Sequence, residues 1–181
     1  GLQNEFQVLK KLQIDKNIYA PKPFYLDKNN KAIFQEYIEG DTVSLNLHKQ
    51  HYKFLASLSN KKKLINLLEI MSLIKNFYER NINFLNDQEI IYYLEKSLSL
   101  SIWDKKIPSV RVHGDFAPWN LKFNKKSKKL FVYDWEDSIE SFLPFYDLVF
   151  YKLSVRKLLN KKIEISKNEY LIALRKKGCN L

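Results

Sequence analysis

Apolar positions recur at Leu2, Phe6, Leu9 and Leu12, with Glu5, Lys10 and Lys11 on the other faces. That spacing predicts a helix over 2–13. Pro21 and Pro23 break it. Phe24 to Leu26 and Ala32 to Ile38 then predict two strands joined by the turn Asp27-Lys28-Asn29-Asn30. Residues 44–58 carry a weaker helical pattern. The clearest helix is predicted over 61–80. There Leu64, Leu67, Leu68, Met71, Ile74 and Tyr78 form one stripe, and Ile65, Ile70, Leu73 and Phe77 widen it toward burial on most sides. A further helix is predicted over 87–103 with Asp87 as cap. Short strands follow at Ser109 to Val112, Asn120 to Phe123 and Leu130 to Tyr133, around a basic turn at 124–129. Pro144 opens a predicted helix to about Leu159, and 165–177 a last one, with Ser166 as cap and Glu169 as its capping-box partner. Local strands with segregated helices predict an α+β fold. The chain shows no internal repeat, low-complexity tract or flexible linker.

Composition narrows this picture. The 181 residues are 45% hydrophobic and 28% charged, as in an ordinary globular protein with a substantial core. No apolar run approaches the length of a membrane span, and no signal pattern opens the chain. Cys179 is the one cysteine. It allows no intrachain disulfide and no zinc cluster, which fits a cytoplasmic setting. The net charge of +11 favours anionic partners such as nucleotide phosphates or an anionic acceptor. The lysines are scattered beside turn signals, and no nucleic-acid reading motif is present, so a solvated surface accounts for them.

The chemistry concentrates in Val112-His113-Gly114-Asp115-Phe116-Ala117-Pro118-Trp119-Asn120 and Val132-Tyr133-Asp134-Trp135-Glu136. Phosphoryl transfer needs a carboxylate to take or orient the acceptor hydroxyl's proton, and oxygen ligands to hold Mg²⁺ on the phosphates. Asp115 fits the first role; Asn120 and Asp134 fit the second. Each residue alone is compatible with a turn or a strand end. Together, their spacing resembles the catalytic and metal-binding loops of protein kinases, with Gly114 where those have Arg.

The His-Gly-Asp form with Asp-Trp-Glu downstream resembles the aminoglycoside phosphotransferase and choline kinase-like family. The resemblance covers roughly residues 1–155. It implies a protein-kinase-like fold: residues 1–43 a remnant of the N-terminal lobe, and 44–181 a helical C-terminal lobe. It implies an ATP- and Mg²⁺-dependent phosphotransferase acting on a small-molecule hydroxyl, such as a sugar or an amino alcohol. Glu36, Tyr37 and Ile38 correspond to the hinge whose main chain binds adenine. Glu5 corresponds to the Glu that pairs with the nucleotide-binding lysine, although an exposed helical Glu is the commoner case. Asp147 corresponds to the Asp that steadies the catalytic loop. In this family Asp115 is the base, so His113 packs and hydrogen-bonds within the loop. Trp119 suits either the core or the acceptor site, and Glu136 either a second metal or the acceptor.

Two family parts do not precede Glu5: a glycine-rich phosphate loop and a strand lysine. The chain opens on Gly1 rather than Met, so residues are expected upstream. The 181 residues alone are expected to have weak or absent activity. The alternative is a catalytically dead kinase-like module serving a partner protein, with an exposed apolar face over Ala32 to Tyr37.

Overall fold

The computed structural model describes residues 1–29, 31–81, 88–99 and 102–160. It groups them into two compact units: one draws on residues 1–59 and on the chain from Val110 onward, the other is Asn60–Ser109.

In the first unit, α1 (Leu2–Ile14) forms as its pattern predicts and buries Phe6, Val8, Leu9 and Leu12. It packs on the antiparallel hairpin β1 (Pro23–Asp27) and β2 (Ala32–Gln35), in which Tyr25 faces Phe34 and Asp27 faces Ala32. The second strand stops at Gln35 rather than Ile38. Past that point the backbone bonds elsewhere: Glu36 N–H donates to Lys22 C=O, and Ile38 C=O accepts from the Tyr133 hydroxyl. A short strand, β3 (Asp41–Thr42), then pairs with a later strand.

The helix expected over 44–58 begins at Lys49 (α2, Lys49–Ser57). His48 caps it: its Nδ1 accepts from Gln50 N–H, while His51 Nδ1 accepts from His48 N–H. Weak in periodicity, α2 is nevertheless central to the core, with His51 and Phe54 fully buried. Its inward face is imidazole and aromatic rather than a leucine stripe, so a count of aliphatic spacing undervalues it.

The second unit corrects the strongest helix prediction. Residues 59–66 are a strand, β4 (Ser59–Asn66), and the helix α3 runs only over Leu67–Asn81. Leu64 is 61% exposed while Ile65 is 7% exposed, the alternation of a strand. β4 lies beside the next strand, β5 (Lys106–Val112), and the Ser109 hydroxyl donates to Lys63 C=O. α3 is also one-sided: Leu67 and Ile70 are buried, Leu68 and Leu73 exposed. α4 (Gln88–Leu98) is shorter than the predicted 87–103, and Trp103 lies beyond it. Asp87 and the helix predicted over 165–177, with Ser166 and Glu169, lie outside the described residues, as does Cys179.

The chain returns to the first unit through the end of β5. A 3₁₀ turn, Pro118–Asn120, leads into β6 (Leu121–Asn124), which pairs with β3 and with β7 (Lys129–Val132). Asn120 therefore ends a turn rather than opening a strand. β8 (Ile139–Phe142), not anticipated from its four residues, pairs with Val110 and Val112. α5 (Tyr146–Leu158) starts two residues after Pro144, because Phe145 takes a left-handed conformation, φ 73°, as its N-cap. The core joins α1, α2, β6, β7 and α5: Phe54 stacks on Phe116 at 5.0 Å, with Trp135 and Tyr151 fully buried beside them. Among the described residues no helix is long and apolar enough to cross a membrane.

Candidate functional site

The segment after β5 is held by buried hydrogen bonds rather than by regular structure. Asp147, in the first turn of α5, is almost fully buried, and its two carboxylate oxygens accept from backbone amides: Oδ2 from His113 N–H at 2.8 Å, Oδ1 from Gly114 N–H at 3.1 Å. Gly114 has φ 95°, and a Cβ there would sit 2.3 Å from Asp137 C=O. No other residue type fits that approach.

His113 is fully buried, against Trp135 at 4.7 Å between ring centroids. Its Nε2 lies 2.8 Å from Tyr133 C=O, and its Nδ1 accepts from Asp115 N–H at 3.3 Å. A ring that donates at one nitrogen and accepts at the other is neutral. Burial pushes its pKa down to about 4, against smaller opposing effects of Tyr133 and Asp115. His113 thus organises the loop, as the sequence suggested.

Asp115 is half-buried. Its Oδ2 accepts from Asn120 Nδ2 at 2.8 Å and from Trp119 Nε1 at 3.4 Å, and its backbone carbonyl also accepts from Asn120 Nδ2, at 2.9 Å. The Asn120 amide nitrogen is committed to Asp115, which leaves its amide oxygen as the group able to bind a cation. Ala117 is extended and Pro118 opens the 3₁₀ turn. From that turn the adjacent side chains of Trp119 and Asn120 both reach the same carboxylate.

Asp134 follows β7 in a left-handed conformation, φ 62°. That conformation is uncommon for a residue with a Cβ and recurs at functional sites. Its carboxyl pKa is raised, first by burial, then by Glu136, Asp115 and Asp137. The net charge of the protein is strongly positive, yet the surroundings of Asp134 are acidic, and the overall charge does not describe the site.

Glu5, from α1, is brought to the same loop. It is 9% exposed, not on the open face of its helix, and its Oε1 accepts from Trp135 N–H at 3.4 Å. Burial raises its pKa; the Trp135 bond opposes this, and Asp134 and Glu136 add to it.

The Glu36–Ile38 segment is tied to these loops through Tyr133. The Glu36 side chain folds back to accept from Lys22 N–H at 3.2 Å. Tyr37 is exposed, with Lys122 Nζ 5.8 Å from its ring centroid, and Ile38 is buried. Among the described residues, the Glu36 C=O and the Ile38 N–H carry no hydrogen bond.

Tyr133, which the sequence marked only as a strand end, joins all three segments. Its hydroxyl donates to Ile38 C=O, its N–H to Asn120 C=O, and its C=O meets His113 Nε2. Burial, with Glu36 and Tyr37 nearby, pushes its hydroxyl up to about 12. It stays a neutral donor at any physiological pH. No side-chain pattern signals this role, because two of the three ties are made by backbone groups.

Trp119, left between core and acceptor site by the sequence, is 58% exposed. Among the described residues, no three His, Cys, Asp or Glu side chains converge as a metal cage.

No protein-family model matches the chain, and no curated protein matches its sequence. Solved structures do. The chain is similar to choline kinase LicA from Streptococcus pneumoniae, with 20% identity and a TM-score of 0.61 over 97% of this chain and 61% of that one. It is similar to APH(2″)-IIa in its streptomycin–ATP ternary complex, with 21% identity and a TM-score of 0.54 over 97% and 70%. It also resembles the GDP complex of aminoglycoside 2′-phosphotransferase-IIIa, with 17% identity and a TM-score of 0.61 over 97% and 70%. The chain spans between 61% and 70% of the length of these three structures.

Proposed function

We propose that this protein, whose fold is the protein-kinase-like α+β fold of the choline kinase and aminoglycoside phosphotransferase structures, belongs to a phosphotransferase that moves the terminal phosphoryl group of ATP to a hydroxyl of a small molecule. The observation that carries the reading is local: Asp115 is fixed by Asn120 at 2.8 Å, and Asp134 stands just after β7 in a left-handed conformation.

In this reading Asp115 takes the acceptor's proton as the acceptor oxygen bonds to the terminal phosphorus. The bond from that phosphorus to the bridging oxygen breaks, and the nucleoside diphosphate leaves. The Glu36 C=O and Ile38 N–H offer the adenine a backbone acceptor and donor. The donor set suits Mg²⁺: the Asn120 amide oxygen and the Asp134 carboxylate are hard oxygens, and Mg²⁺ is commonly held by one or two protein groups with phosphates and water completing its shell. When bound, the ion neutralises charge on the phosphates. Glu5, buried beside the loop after Asp134, would pair with a cation near the nucleotide. The names of the similar proteins make a cationic or sugar hydroxyl the first acceptors to try, and the net charge of +11 adds anionic ones.

A second reading has one observation behind it. Phe24, Tyr25, Phe34 and Tyr37 are all exposed on or beside the hairpin, as a catalytically dead module bound to a partner protein would show.

A thermal shift with Mg²⁺ and ATP, and in parallel with GTP, run beside Asp134→Ala, separates the two. A ligand that binds the folded state raises its midpoint with concentration. The phosphotransferase reading expects a Mg²⁺-dependent rise that Asp134→Ala loses. No rise in the unmodified protein, or one that survives the substitution, overturns it.

A further inference from the structure

We infer that Trp119 is a positioning residue for Asp115: its indole N–H fixes the Asp115 carboxylate while its exposed ring stands beside the base as a surface for the acceptor. The inference rests on the phosphotransferase reading for the identity of the base.

A tryptophan is a large apolar side chain, and in this structure Trp135 shows the usual outcome, full burial with its Nε1 donating to Val132 C=O at 2.9 Å. Trp119 is the opposite, 58% exposed with its one polar atom turned back to the protein. Packing does not account for it, because most of its surface is in water. Its Nε1 donates to Asp115 Oδ2 at 3.4 Å, a long bond. Catalytic hydrogen bonds are often long before substrate binds and tighten in the complex.

Both side-chain donors to Asp115 reach the same oxygen, Asn120 Nδ2 at 2.8 Å and Trp119 Nε1 at 3.4 Å. Two donors on Oδ2 hold the carboxylate's rotation and leave Oδ1 as the atom that meets the acceptor's proton. Asn120 alone would fix one oxygen but allow the plane to rock about that bond. A second donor from a different direction restrains the plane. The backbone is built for this, because Pro118 presets the turn from which residues 119 and 120 both reach Asp115.

The exposed ring then gives an acceptor an apolar flat face next to the base. Aromatic faces bind sugar-ring C–H groups and alkylated cations alike, so the wall itself does not choose between them.

The test reads the contact without activity. In ¹⁵N-labelled protein the indole N–H groups of Trp103, Trp119 and Trp135 give separate resonances; Trp119→Phe identifies one of them. Trp103 donates to Ser97 C=O and Trp135 to Val132 C=O, so neither answers to Asp115. Asp115→Asn is expected to move the Trp119 resonance upfield and leave the other two in place. An unmoved Trp119 resonance overturns the contact.

The second arm measures phosphate release from Mg²⁺-ATP with water as acceptor. Trp119→Phe keeps a ring and removes the N–H. It is expected to lower kcat roughly tenfold, the size of one hydrogen bond to a charged group, with KM for Mg²⁺-ATP unchanged. A kcat equal to that of the unmodified protein overturns the positioning role. Phosphate release too slow to measure agrees with the weak or absent activity expected of these 181 residues; the Mg²⁺-dependent thermal shift then decides the phosphotransferase reading and the indole resonance decides the contact.

Discussion

The loops around Asp115 and Asp134 and the β1–β2 hairpin lie in the same unit but are held in opposite ways. The loops have almost no regular structure, yet Asp147, His113, Tyr133 and Asn120 tie nearly every turn of them, and Phe116 and Trp135 anchor them in the core. The hairpin has regular antiparallel pairing, yet it leaves Phe24, Tyr25 and Phe34 in water. Regular secondary structure is therefore not what marks the most densely tied part of this unit. Order follows buried contacts and satisfied polar groups, and those gather in the loops that carry Asp115 and Asp134.

The sharpest way to break that contrast is at its anchor. Phe54 is fully buried, stacked on Phe116 and edge-on to Trp135 and Tyr19. Phe54→Ala is expected to cost about 3–5 kcal/mol, the range for deleting a buried aromatic side chain. Urea unfolding of the two proteins measures it. A loss below about 1 kcal/mol would mean that the loops are not hung from this cluster.

Acid probes the same region with a smaller effect. His51 and His113 are both fully buried, and burial lowers each to about 4, with His48 adding to the effect at His51. His51 Nε2 has no hydrogen-bond partner among the described residues. An unfolded histidine titrates near 6.5. Above that value both states are neutral and the full stability is present. As pH falls from about 6.5 toward 4 the unfolded state takes up protons that the folded state refuses, and stability drops, by on the order of 3 kcal/mol per histidine once both values are passed. Glu5 works in the opposite sense, since its raised pKa favours the folded state as pH falls. The net expectation is a falling urea midpoint between pH 7 and pH 5, with roughly half the slope in His51→Leu. A flat profile would show that these rings are wet in solution.

What the sequence disclosed about this contrast depended on how each residue is tied. Asp115, Asn120 and Asp134 stood out as candidates because their spacing matches what phosphoryl transfer would require, and Asp147 because it stands at a recognisable helix start. Trp119 and Tyr133 were not. The direction of Trp119 is set by the turn at Pro118, and Tyr133 acts largely through backbone groups that every residue carries. Glu5 was marked only through its correspondence to a pairing Glu, and its burial was not legible, because its neighbour in space, the loop after Asp134, is 130 residues away in sequence. The fold class was visible in the order of elements. The strand at 59–66 was not, because Leu64, Ile65 and the residues after them satisfy a helical stripe as well as a strand, and only pairing beside β5 decides between them.

The smallest effect belongs to the hairpin and completes the comparison with Phe54. Phe34 is the same residue type as Phe54 but is exposed, and its ring partner is Tyr25 across the strand pair, 6.0 Å between centroids. Such cross-strand pairs contribute roughly 0.2–1 kcal/mol. Phe34→Ala is therefore expected to change stability by about 0.5 kcal/mol, several-fold less than Phe54→Ala, and to leave the urea slope unchanged. A loss as large as that of Phe54→Ala would mean that Phe34 is covered in solution, by another copy or by a segment packed on the hairpin. The contrast between the regions would then reflect what is bound to each rather than how each is built. Repeating the measurement over roughly a hundredfold range of protein concentration separates those two cases, because only self-association makes the midpoint depend on concentration.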